Sequence, residues 1–266
     1  MLIEQTLFGT VDKVQNAIDL LREHEPPEGY YLCFSGGKDS VVIYELAKRA
    51  GVKFDAHFNI TTVDPPELMR FVRDNFPDVT WERPPLSMYQ LILKHKILPL
   101  RQARYCCTEL KEQGGKGRVK ITGIRSEESP RRAKRTQIEQ SRDDKSYFVH
   151  VIKDWSTADV WQFIRENNLP YCSLYDEGFD RIGCVLCPFP NAAKTQRDLE
   201  RFPGVVAMYK RACNKLWELW KGNSKNAEWH CGEDIFNWWI SRHRKITVAE
   251  DCNSVPLFSE DDGSVL

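Results

Sequence analysis

Apolar and polar positions alternate along this chain with two periods. Residues 11–23 put Val11, Val14, Ala17, Ile18 and Leu21 on one face at helical spacing, and Pro26, Pro27 and Gly29 end that helix. Tyr30–Phe34 is a short apolar run of strand length. A helical pattern over 38–50 follows at once, stopped by Gly51. Further strands are expected at 53–60, 79–82, 118–124 and 147–152, and helices at 87–94 and 156–167, the last with Ser156 as N-cap. A helix also starts near Asp64-Pro65-Pro66-Glu67, with Asp64 as its expected N-cap and proline in its first turn. Repeated strand–helix alternation predicts an α/β fold, a mostly parallel twisted sheet with helices on both faces. From about residue 191 the pattern is helical only and rich in tryptophan. Three segments are therefore expected: an N-terminal helix (1–28), the α/β body (29–190) and a helical extension (191–266). The first helix is expected to pack on its own sheet, with a homodimer contact as the other use of its face.

Composition narrows the class without naming a function. The 266 residues are 41% hydrophobic and 29% charged, with a formal net charge of zero, so no global field draws the chain to nucleic acid or acidic lipid. No run approaches the roughly 18 apolar residues of a membrane span. The N-terminus lacks a basic-then-apolar leader. A cytoplasmic protein with no membrane partner is expected. The final SEDDGSVL is polar and expected to fray.

The first candidate chemistry lies where the strand at 30–34 meets its helix, in Ser35-Gly36-Gly37-Lys38-Asp39-Ser40. In a parallel sheet, ligands bind beyond the carboxyl ends of the strands. Two glycines let the backbone come close to a ligand and align successive N–H groups. The helix start adds its positive dipole end. With Lys38 and the Ser35 and Ser40 hydroxyls, the turn suits a tetrahedral anion. It is not the G-x-x-x-x-G-K-[ST] loop of nucleoside triphosphatases.

Nine cysteines, an odd number, argue against a disulfide framework in a reducing compartment. Cys106 and Cys107 are adjacent, and Cys184 and Cys187 form C-x-x-C before a proline. Four such thiolates suit an iron–sulfur cluster or zinc, or are simply buried thiols; adjacent cysteines are unusual for tetrahedral zinc. Arg104 and Lys111 flank the adjacent pair, either as charges that favour thiolates and an anionic substrate or as plain surface charges. Arg125, Arg131, Arg132, Lys134 and Arg135 follow the fourth expected strand, where guanidinium forks grip phosphate or sulfate. His57 reads as a core residue of its strand. Trp155 and Trp161 suit helix packing, and Trp217, Trp220, Trp229, Trp238 and Trp239 suit core or interface anchors.

SGGKDS at the first strand–helix turn resembles the PP-loop of the adenine nucleotide α-hydrolase superfamily, which binds adenylate-type nucleotides. RYCCTELK, ITGIRSEESPRRA and VIKDWSTADVWQFIRENNLPYCSLYDEGFDRIGCVLC follow in order. Together they resemble the sulfonucleotide reductases that act on adenylyl sulfate or phosphoadenylyl sulfate, in the subgroup that carries an iron–sulfur cluster. The resemblance covers about residues 30–190. It implies a [4Fe–4S] cluster on Cys106, Cys107, Cys184 and Cys187 beside the sulfate, with zinc as the alternative cofactor. It implies nucleotide contacts from Ser35 to Ser40 and from Thr62, Asp64, Arg125 and Arg132. Lys38 and Arg125 would also serve catalysis electrostatically.

Reductases of that kind attack sulfur with a C-terminal cysteine in a segment resembling Glu-Cys-Gly-Leu-His, and external thiols resolve the enzyme S-sulfonate. This chain offers Cys231 in WHCGED, with His230 before rather than after, and Cys252 in AEDCNSV. Cys231 is the candidate nucleophile, with a structural cysteine as the other reading of that position, and a thioredoxin-like or glutathione-type thiol is the expected reductant. The mismatch keeps two other functions open: an ATP-dependent sulfurtransferase acting on tRNA or DNA, and a nucleotide-binding relative without catalysis.

Overall fold

A mixed sheet organises the fold. β1 (Ile3–Thr6) and β2 (Gly9–Asp12) pair antiparallel at the start of the chain. The Asp12 carboxylate then caps α1 (Lys13–Glu23), accepting from the N–H groups of Val14 and Gln15. This small hairpin was not expected, because two four-residue strands fall below what periodicity resolves. The main sheet contains β3 (Tyr30–Phe34), β4 (Phe54–Asn59), β5 (Thr80–Glu82), β6 (Val119–Thr122), β7 (Ile138–Gln140) and β8 (Tyr147–His150). Its order is β5-β4-β3-β6-β8-β7, and every pairing is parallel except that of the edge strand β7. The computed structural model describes residues 2–6, 9–141, 146–189, 192–222 and 229–241.

α2 (Lys38–Ala50) returns the chain from β3 to β4, and α3 (Pro66–Asn75) from β4 to β5. α4 (Met88–His95) and α5 (Tyr105–Leu110) lie on the way back to β6, on the far side of β3. Right-handed crossovers therefore put the two pairs on opposite faces. The four-residue α6 (Pro130–Ala133) precedes β7, and α7 (Thr157–Glu166) follows β8 and packs on α2, as α1 does. α8 (Ala192–Arg201), α9 (Pro203–Trp220) and α10 (Gly232–Ser241) form the helical extension, with α10 on α9 and α9 on α4.

The core follows from the apolar faces. Leu32, Val42, Ile43, Leu46 and Ala47 of β3 and α2 are fully buried, each large side chain contributing about 1.5–3 kcal/mol. α2 stops at Gly51, whose φ of 70° is left-handed. Ser87 and Ser156 start α4 and α7 with reciprocal capping boxes. Asp64 does not cap α3, whose N-cap is Pro65; its carboxylate turns back to accept from Thr61 N at 2.6 Å and Thr61 Oγ1 at 2.7 Å. His57 is not an apolar core residue. Its ring stacks on Tyr31, with centroids 4.1 Å apart, and its two nitrogens meet Asp55 and Glu82. Trp155 and Trp239 are buried, while the half-buried Trp229 stacks on Trp220 and meets Trp238 edge to face. Among the described residues no helix is long and apolar enough to cross a membrane. Cys252 and the SEDDGSVL end lie outside the described residues.

Candidate active site at the sheet switch point

From β3 the strand order runs outward through β4 to β5, then jumps back to β6 on the opposite side of β3. The ends of β3 and β6 therefore flank the crevice where open α/β sheets bind ligands. The Ser35–Ser40 turn leaves β3 at that point. Gly36 has φ +71°, and a Cβ there would lie 2.6 Å from Leu68 Cδ1 and 2.7 Å from Val72 Cγ2. Only glycine lets the turn press on α3 in this conformation. The Ser40 hydroxyl donates to Gly37 O at 2.7 Å, and the Gly37 N–H donates to Ser35 Oγ at 3.4 Å. Both hydroxyls thus line the turn, with Ser35 Oγ 3.3 Å from Ser40 Oγ.

The end of β6 closes on this turn. A Cβ on Gly123 would sit 3.1 Å from Asp39 Cβ. Arg125 is buried, and its Nε donates to Asp39 Oδ1 at 2.7 Å while Nη1 donates to Glu127 Oε2 at 2.9 Å. Its charge thus ties β6 to α2. Arg132 is ion-paired with Glu128, Arg135 with Glu139, and Arg131 and Lys134 are exposed. Thr62 holds φ +62°, a left-handed value unusual for a β-branched residue, while its Oγ1 accepts from Met88 N at 2.9 Å.

A strap formed by residues 173–189 crosses the same end of the sheet. The Lys38 N–H donates to the Tyr175 phenol oxygen at 2.9 Å, and the Lys38 ammonium donates to Asp180 O at 3.0 Å. Farther along, Val185 N donates to Val63 O at 2.8 Å, and Cys184 Sγ lies 3.5 Å from Thr61 Oγ1. The C-x-x-C turn places Leu186 at φ +55°, and the buried Asp198 of α8 accepts its N–H at 2.9 Å. Arg101 donates to Pro188 O and Phe189 O, each at 3.0 Å, and Arg104 lies over the Phe189 ring. These contacts bring the C-x-x-C to the adjacent cysteines on α5.

The electrostatics show that the four thiols share one neighbourhood. The Cys106 and Cys107 side chains are hydrogen-bonded to each other. The hydrogen bond from Cys106 draws Cys107 below the ordinary thiol range despite burial, with help from Arg104. Cys106 is pushed far above the ordinary thiol range by that bond, then by burial and by the charges of Cys107, Cys184 and Cys187. Burial raises Cys187. The charge of Cys184, more than any other, raises the Lys111 ammonium. Tyr209 of α9, raised first by burial, also feels Cys184, Cys106 and Cys187, so the extension closes over the set. Among the described residues no group of three or more His, Cys, Asp or Glu side chains is arranged to hold a metal ion. In donor chemistry, four thiols with two cations beside them fit a thiolate-ligated group, whose negative charge Arg104 and Lys111 would offset.

Cys231 is exposed, immediately before α10. Its N–H and that of His230 donate to Asp234 Oδ2, at 3.2 and 2.8 Å. Tyr175, Asp180, Asp198 and Arg101 were not singled out in the sequence. Tyr175, Asp180 and Arg101 meet partners more than 80 positions away, and Asp198 meets Leu186 across the C-x-x-C turn, so no local pattern marks them.

A family model described as the phosphoadenosine phosphosulfate reductase domain matches residues 29–190. An uncharacterised protein of Methanocaldococcus jannaschii is 28% identical over 242 residues, covering 80% of this chain and 45% of that protein, so the chain spans less than half of that relative's length. The adenosine 5′-phosphosulfate reductase of Oceanobacillus iheyensis is 30% identical over 171 residues, 59% of this chain and 70% of that protein. That of Lysinibacillus sphaericus is 28% identical over 210 residues, 72% of this chain and 87% of that protein. Among solved structures, a phosphoadenylyl-sulfate reductase from Candida auris in its phosphate complex aligns with TM-score 0.51 at 21% identity, covering 64% of this chain and 88% of that one, a likeness of fold. With the diglycine turn at the switch point and the family match over most of the α/β body, the chain belongs to the phosphoadenosine phosphosulfate reductase domain family, the sulfonucleotide reductase family.

Proposed function

We propose that the chain reduces an adenosine sulfonucleotide, adenylyl sulfate or phosphoadenylyl sulfate, to sulfite and the adenosine nucleotide at the expense of a thioredoxin-like or glutathione-type thiol. The observation that supports this most is the latch of Lys38 onto the strap, which links the anion turn to the segment bearing Cys184 and Cys187. Ser35, Gly36, Gly37, Lys38 and Ser40 take the anionic end of the nucleotide; Thr62, in the loop after β4, and Arg132, in α6, are proposed as further nucleotide contacts. Asp39 and Arg125 hold the turn and the β6 loop together around it.

In the proposed reaction a cysteine thiolate attacks the sulfate sulfur, and the bond from that sulfur to the phosphate oxygen breaks. The nucleotide leaves on that oxygen, and the cysteine carries an S-sulfonate. A reductant thiolate then attacks the cysteine sulfur and sulfite leaves with the S–S bonding pair. The second reductant thiol closes the disulfide and frees the enzyme cysteine, so two thiols are oxidised for each sulfite. Cys231, exposed at the start of α10, is the proposed nucleophile. Cys106, Cys107, Cys184 and Cys187 are proposed to hold a [4Fe–4S] cluster, which when bound supplies a polarising group near the sulfate.

The test is anaerobic purification followed by incubation with each sulfonucleotide and a dithiol. Sulfite release, about four irons per chain, and loss of turnover with retained nucleotide binding in Cys231→Ser are expected. A colourless zinc protein would replace the cluster by zinc. ATP-dependent sulfur transfer to tRNA or DNA without sulfite release would overturn the reductase reading.

A further inference from the structure

Tyr175 meets the anion turn in a way that the turn's own chemistry does not need. It ends a short 3-10 turn, Ser173–Tyr175, in the strap. Its phenol oxygen accepts from Lys38 N at 2.9 Å and lies 3.3 Å from the position of a Cβ on Gly37. The oxygen therefore stands beside the diglycine bend, against an amide at the start of α2. The ring is held on two sides: Trp161 packs edge-on with centroids 5.0 Å apart, and the Lys38 ammonium lies 5.4 Å from the ring centroid.

A phenol has one proton to donate as well as lone pairs to accept with. The Lys38 amide uses a lone pair. Among the described residues no acceptor is paired with the Tyr175 proton. Burial keeps that proton on, well above the ordinary tyrosine range, against the opposing pull of the Lys38 N–H. Rotation about the C–O bond is then enough to aim the proton at an oxygen held by the turn, with no movement of the ring.

We propose that Tyr175 is a binding residue for the tetrahedral oxyanion at the Ser35–Ser40 turn: anchored by the Lys38 amide, its hydroxyl donates to a phosphate or sulfate oxygen of the ligand. As a neutral donor, it adds a directed hydrogen bond without adding charge. Because it belongs to the strap, anion binding and the seating of the C-x-x-C segment are linked. The nucleotide identity rests on the proposed reductase function, but the oxyanion contact does not.

The test compares wild type and Tyr175→Phe for binding of adenosine 5′-phosphosulfate, inorganic sulfate and adenosine, read by tryptophan fluorescence, since Trp161 touches the ring. Thermal unfolding checks that the isosteric variant folds. Loss of one hydrogen bond to a charged group predicts affinity lower by about 10- to 100-fold for the phosphosulfate and for sulfate. Adenosine affinity should be unchanged, a split that general damage would not produce. Equal anion affinity, tighter anion binding or an equal loss for adenosine overturns the inference. If wild type binds sulfate but not the phosphosulfate, and Tyr175→Phe still weakens sulfate, the reductase reading falls and this inference stands. A wild type that binds neither anion overturns both.

Discussion

Arg125 Nε donates to Asp39 Oδ1 at 2.7 Å, an ion pair that joins the loop after β6 to the first turn of α2 across 86 positions of sequence. The Arg125 side chain is almost wholly buried, and its second donor group goes to Glu127 at 2.9 Å. Two of the segments that carry the family resemblance, SGGKDS and ITGIR, are thus halves of one structure. The negative charge also suits the start of α2, where the helix dipole is positive.

Removing one partner of such a pair leaves the other buried and uncompensated. Arg125→Ala should destabilise the fold by about 3 kcal/mol, the lower end for a broken buried pair because Asp39 remains partly exposed. Asp39→Asn, which keeps an acceptor for the guanidinium, should cost about 1–2 kcal/mol. Urea unfolding of the single and double variants measures the coupling. Additive losses would mean that the two groups do not depend on each other.

Gly36→Ala combines two insults. Alanine at φ +71° strains the backbone, and its Cβ would press on Leu68 and Val72 of α3. Together these should lower stability by about 2–4 kcal/mol. Trimming one neighbour in Gly36→Ala/Leu68→Ala relieves the Leu68 contact, leaves that with Val72 and opens a space in the core, so it should restore anion affinity in part and more than it restores the melting temperature. If Gly36→Ala alone binds sulfate as well as wild type, close backbone approach is not what the diglycine provides.

Local patterns made β3, its turn and α2 legible, because strand length, two glycines and helical spacing are all written within about twenty residues. The Ser156 cap was legible for the same reason, while the helix after Ser87 was expected without its cap. The strand order was not, since β5 and β6 are consecutive in sequence yet lie on opposite sides of β3. Asp64 misled because its carboxylate finds Thr61 rather than the helix amides that its position offers. His57 sits in an apolar-looking strand, yet Asp55, two positions earlier, shares its face, and Glu82 reaches it from β5, a neighbour that only strand pairing reveals. The strap's anchors at Lys38, Asp198 and Arg101 depend on tertiary placement, so the sequence showed the cysteines but not what brings them together.

Asp198 is the clearest of those anchors. It is buried on α8, accepts from Leu186 N at 2.9 Å and pairs with Lys194 at 2.7 Å. Asp198→Ala leaves a buried N–H without its acceptor at a residue already held at φ +55°, a loss of about 1–3 kcal/mol. In the metal-free protein, alkylation of Cys184 and Cys187 should accelerate as the turn opens. Asp198→Asn retains an acceptor and should stay near the wild-type rate. Equal rates in all three proteins would show that the turn is held by the strap alone.

His150 predicts how stability follows pH. It is fully buried on β8, with Nδ1 2.5 Å from Thr122 Oγ1. Burial lowers its pKa below 6.5; Glu139 pulls upward, while Arg135 and Lys153 push down with the burial. The folded state therefore prefers the neutral ring more than the unfolded chain does. Its contribution is complete above the unfolded value of 6.5 and is lost as pH falls below that value toward the lower folded one. Unfolding free energy measured from pH 7 to 5 should decline with a slope of up to one proton. In His150→Gln, which keeps a polar group near Thr122 but cannot titrate in this range, that part of the slope should disappear. An unchanged slope would assign the decline to other groups, since the remaining carboxylates that titrate lower down would then have to account for all of it.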